Sequence, residues 1–240
     1  MLNHLEGLID NRNRQLFMDL SDSHQIRVAF ETCSDYSCYS KGDESIISVP
    51  ISKRNTASFT HELLHIYLRV NGVFIGASFS DSIRNKIGLK SYFDENLLEH
   101  IGNTLDHIKM LPLFIEMGFD KSEFIADYDT DKLTESEIRT IRLKLESKWF
   151  FKTRNFKMAV KLFLGKYFAV KACPNQGFNY GDKLSRLEIL YPALYFACES
   201  FLDNWSGFEI PSSDLIAGSY YDFLNDFVLE LEALLHSNGK

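Results

Sequence analysis

The chain has 240 residues, 45% of them hydrophobic, and a net charge of −7. That length carries one large domain or two small ones with a real core, and the acidic balance argues against nucleic acid as a main partner, because phosphate binding needs a basic surface. No stretch approaches the roughly 18 apolar residues of a spanning helix, and Met1-Leu2-Asn3-His4, with Glu6 and Asp10 close behind, lacks the apolar run of a secretory signal, so the expectation is a cytoplasmic protein with no membrane partner.

Leu2 to Leu20 is patterned as an amphipathic helix, and Gln25 to Cys33 alternates as a strand. The next twelve residues are turn-rich. Ser45 to Pro50 (SIISVP) follows as a short β-branched strand, after which Asn55 or Thr56 can cap a helix running to about Val70. That helix carries His61-Glu62-Leu63-Leu64-His65, an HExxH motif. Two imidazoles four residues apart project from one helical face, at the separation that lets both ligate one tetrahedral Zn²⁺. Glu62 lies about 100° round the helix, off the metal yet within reach of a zinc-bound water as its general base.

A strand leading into an HExxH helix resembles the zincin metallopeptidases. The resemblance implies an α+β, predominantly helical fold: a zincin-like N-terminal lobe (residues 1–130) with a small β-sheet and the active-site helix, then a helical lobe (131–240) across a cleft. It also implies a third zinc ligand further along. Asn71 stands where the short-spaced metzincin motif needs a histidine, which excludes that subfamily.

Ser91 to Leu111 is the candidate helix for that ligand, with an apolar stripe of Leu97, Leu98, Ile101, Leu105 and Ile108. At 100° per residue Glu99 and Asn103 fall nearly opposite the stripe, while Asn96, His100 and His107 flank it. Glu99 followed by Asn103 is similar to the gluzincin third-ligand helix, so Glu99 is the preferred ligand and His100 its competitor. Glu95, Asp106 and His107 stand behind them. Of Tyr67, Tyr92, Arg69 and His107, the last is favoured as the catalytic group that steadies the oxyanion. The gap from Gly72 to Lys90 leaves room for an inserted loop and short helix.

Beyond Gly118 the pattern is almost wholly helical. Thr134-Glu135-Ser136-Glu137 is a capping box opening a helix to about Lys148. Arg154 to Cys173 is apolar on several sides, Leu184 to Asn204 is a helix kinked at Pro192, and Asp214 or its neighbours open the last helix. Lys148, Lys152, Arg154, Lys157 and Lys161 form a locally basic stretch, read as a solvated helix face. Cys33, Cys38, Cys173 and Cys198 lack paired CxxC spacing and are expected as reduced thiols.

The function expected from these residues is zinc-dependent hydrolysis of a peptide or protein substrate, with His61, His65 and Glu99 or His100 on the metal. The alternatives are a zinc-stabilised interaction protein that lacks the chemistry, and a helical binding module whose motif is coincidental.

Overall fold

The structure, a computed structural model, describes residues 5–147, 152–210 and 219–238. Nine helices and one three-stranded sheet are found among them, an α+β architecture dominated by helix. The chain forms two compact units. Both are discontinuous in sequence: the first comprises 1–74, 109–128 and 210–215, the second 75–108, 129–209 and 216–240.

In the first unit, α1 (Arg14–Ser23) leads into β1 (Gln25–Glu31), β2 (Ser37–Lys41) and β3 (Glu44–Pro50), in the spatial order β1-β3-β2. The central β3 pairs in parallel with β1, Val28 opposite Ile47, and antiparallel with β2, Cys38 opposite Ile47. β2 lies within the segment expected as turns. Ser-Cys-Tyr-Ser-Lys carries little apolar alternation, and its pairing comes from the tight turn at Gly42, whose φ of +62° suits a residue without Cβ.

α2 (Thr56–Val70) packs on this sheet. Phe59, Leu63 and Ile66 recur at helical spacing and share one core with Ile47 and Val49 of β3 and with Leu5, Leu8 and Leu20. Asn55 caps the helix as expected, accepting from the Ser58 amide at 2.7 Å. Fully buried Asn13 ties the helix base to the chain's start, donating to Leu8 O and to Thr60 Oγ1, each at 2.9 Å. Of the helix expected over Leu2 to Leu20, residues 2–4 lie outside the described residues, and among those described it begins at Arg14; Leu5 and Leu8 are buried in the turns before it.

The second unit contains α3 (Ile75–Arg84), the start of α4 (Glu95–Glu116), α5 (Glu135–Leu145), α6 (Lys152–Lys171), α7 (Tyr180–Leu190), α8 (Pro192–Gly207) and α9 (Tyr220–Asn238). The capping box at Thr134 and Glu137 forms in both directions. The helix expected over Leu184 to Asn204 is instead two. Tyr191, before Pro192, adopts an extended φ of −151°, so the proline opens α8 at its first position instead of bending one helix. The opening of the last helix near Asp214 lies outside the described residues.

Gly76 of α3 and Gly102 of α4 meet backbone to backbone. A Cβ on Gly102 would stand 2.8 Å from the Gly76 Cα, and one on Gly76 would stand 2.9 Å from the Gly102 Cα. Ile75, Phe79 and Ile83 of α3 are buried, and Phe79 stacks on Phe227 of α9. From Ile75 onward the segment between Gly72 and Lys90 thus contributes Ile75, Phe79 and Ile83 to the core of the second unit.

Candidate metal centre

α2 presents His61 and His65 from one face, their ring centroids 5.1 Å apart. The opposite face sinks Phe59, Leu63 and Ile66 into the sheet core, so the burial that holds the helix also fixes the direction of the imidazoles. α4 supplies a third imidazole, His107. One ligand atom from each of the three histidines lies within 4.8 Å of those from the other two, the only such group among the described residues. α4 runs from Glu95 to Glu116 with Pro112 inside it; its residues up to Ile108, His107 included, belong to the second unit, and those from Lys109 to the first.

Aromatic rings brace this arrangement within the first unit. Phe124, which follows the 3-10 turn Lys121–Glu123, lies 4.8 Å from the His61 ring, and its backbone hydrogen-bonds that imidazole. Phe114 of α4 touches Phe124 at 5.2 Å and stacks on Phe119 at 4.8 Å, and the Arg12 guanidinium covers Phe119 at 3.9 Å. Each contact adds to the burial of large rings.

Burial, with a smaller contribution from His65, pushes His61 down to about 3, which keeps it as the neutral imidazole that metals bind. Glu62 is buried, and burial raises its carboxyl above the usual range against the opposing pull of His65. The donor set suits zinc. Zn–N bonds of about 2.0–2.1 Å place tetrahedral donors about 3.4 Å apart, so pairs within 4.8 Å need to close by at most about 1.4 Å, a side-chain adjustment. Three histidines leave a fourth tetrahedral position for water or substrate.

The other residues singled out from sequence lie elsewhere. Glu99 and His100 are exposed and outside the histidine group; a His100 ring nitrogen bonds the Gly165 carbonyl at 3.0 Å on α6. Glu95 pairs with Arg84. Asp106 is buried beside His107 but is not in the group. Tyr92, an oxyanion candidate, is buried and donates to the Leu235 carbonyl at 3.1 Å, and Arg69 donates to the Val73 carbonyl at 2.8 Å. His107, expected as the oxyanion group, lies with His61 and His65 in the histidine group, and Glu99 and His100 do not. All four cysteines are free thiols, and burial pushes Cys38 up to about 11 and raises Cys198 well above the usual thiol range, so neither ionises near neutral pH.

Comparisons with protein-family models, with curated proteins and with solved structures find no match to this chain.

Proposed function

We propose that this protein is a zincin-like zinc metallopeptidase in which His61, His65 and His107 hold the metal and Glu62 is the general base. The observation that carries the reading is the convergence of three imidazoles around a helix that also holds a buried carboxylate one residue from the first ligand. Zinc held there supplies the Lewis acidity that makes water nucleophilic and a peptide carbonyl electrophilic at neutral pH. Burial of His61 keeps its imidazole neutral and ready to ligate, and the contact with Phe124 fixes the ring's orientation. Glu62, made more basic by burial, takes a proton from the attacking water and returns it to the leaving amine nitrogen, and its carboxylate stays out of the histidine group.

A purely structural metal site would call for a closed set of four ligands and has no use for a buried base. The group of three among the described residues, with Glu62 beside it, favours the catalytic reading. The test pairs zinc content with turnover. Zinc-loaded wild-type protein and Glu62→Gln are incubated with a broad peptide library and the fragments are read by mass spectrometry. The expected result is cleavage by the wild type and a loss of about 10²-fold or more in the variant with zinc retained. Full activity in Glu62→Gln on a peptide the wild type cleaves would overturn the mechanism.

A further inference from the structure

The second unit holds a basic depression that the zinc reading does not use. It is an open cavity of about 540 Å³ lined by Ser91, Thr153, Arg154, Lys157, Met158 and Lys161. Arg154, Lys157 and Lys161 recur at i, i+3 and i+7 on α6, so one helix face carries all three cations. Lys161 is matched by Asp94, with Nζ 2.8 Å from Oδ2. Lys157 lies 5.5 Å from the face of the Tyr92 ring, and neither it nor Arg154 has a carboxylate partner among the described residues. Arg154 and Lys157 therefore set two like charges one turn apart without a local carboxylate, on a protein of net charge −7. Ser91 and Thr153 also line the depression and bring hydroxyl donors to it. Met158 supplies an apolar part of the lining.

We propose that this depression binds the phosphoryl group of a phosphorylated small molecule, with Arg154 and Lys157 as the principal cations, Ser91 and Thr153 as neutral donors, and Met158 against the ligand's organic part. Arg154 offers the planar fork that matches phosphate oxygens, and Lys157 a point charge one turn away. A lone phosphate is far smaller than the cavity, whose volume lies within the range of small-molecule sites. The site stands independently of the zinc centre, since none of its lining residues belongs to the histidine group.

The test is titration calorimetry of zinc-loaded protein with adenosine 5′-monophosphate, adenosine and inorganic phosphate, at two salt concentrations. The wild type is compared with Arg154→Gln/Lys157→Gln, with the charge-matched Arg139→Gln/Arg142→Gln on the exposed face of α5, and with His107→Ala. The expected result is binding of the monophosphate that weakens at least tenfold in Arg154→Gln/Lys157→Gln and is unchanged in the other two variants. Stronger binding of the monophosphate than of inorganic phosphate, with none of adenosine, would assign the ligand class; equal binding of the two anions would overturn the assignment to an organic phosphate. Equal weakening in both double variants would reduce the effect to general attraction, and loss in His107→Ala alone would place the anion on the metal. Either of these, or no binding of any anion to the wild type at millimolar concentration, would overturn the proposal.

Discussion

Replacing His107 by alanine should strip zinc from the protein while leaving the helix that carries it in place. The imidazole is one of three donors whose ligand atoms lie within 4.8 Å of one another, and alanine keeps the helical propensity of α4. Tetrahedral zinc sites bind with about 10–16 kcal/mol in peptides. One ligand in four is then worth about 3–4 kcal/mol, or a loss of about 10²–10³-fold in affinity. Zinc affinity is measured by competition with a chromogenic chelator, and far-UV circular dichroism confirms that each variant remains helical. Glu99→Ala and His100→Ala serve as the contrast, because both residues are exposed and outside the group; His100→Ala loses only the bond to Gly165. Zinc affinity of His107→Ala within threefold of the wild type, or a large loss in Glu99→Ala, would refute the assignment of the third ligand.

Two further outcomes follow from the geometry. His61 has a folded pKa of about 3, below the ordinary 6.5, so the unfolded chain takes up a proton that the native metal-free protein refuses. Stability is therefore lost as pH falls from 6.5 toward 3, whereas the raised carboxyl of Glu62 contributes in the opposite sense, stabilising at low pH and losing that contribution as pH rises. In metal-free Glu62→Gln, urea unfolding should lose about 1–2 kcal/mol between pH 7 and pH 5, and His61→Ala/Glu62→Gln should show a flatter dependence; identical profiles would contradict the burial argument. Gly102→Ala should lower stability by about 1–3 kcal/mol in thermal unfolding, the usual cost of forcing a methyl into a full contact. Gly181→Ala in α7, with nothing within 4 Å of the added Cβ, should be neutral or slightly stabilising, and equal behaviour of the two would show that the backbone contact is not tight.

The helix carrying the motif was legible because several local signals agreed: the cap at Asn55, the apolar spacing of Phe59, Leu63 and Ile66, and the preceding β-branched strand. The capping box at Thr134 was equally local and formed as expected. The third histidine was not legible, because helical angles place His100 and His107 on the same flank of the stripe and say nothing of which turn of α4 meets α2. Buried Thr104 and Asp106 mark the segment around His107 as enclosed, yet they have the composition of a solvated face. Glu99 was preferred through a family pattern, and that pattern carries no information about where this helix crosses its partner. The break at Tyr191 could have been foreseen from the restriction on a residue before proline, which outweighed the continuous apolar spacing on either side.

The meeting of Gly76 and Gly102 also bears on how this chain can change over time. Most tight contacts are repaired by trimming the neighbour when one side grows, but here each prospective Cβ meets the other's Cα, and both residues have no side chain to remove. Relief of a substitution at either position has to come from sliding α3 away from α4 as a whole. His107 lies five residues beyond Gly102 on the same unbroken helix, so a shift of α4 at the crossing would be carried toward the imidazole. Variation at this pair therefore bears on the placement of His107, and neutral drift at the two positions should be constrained even though neither residue belongs to the histidine group.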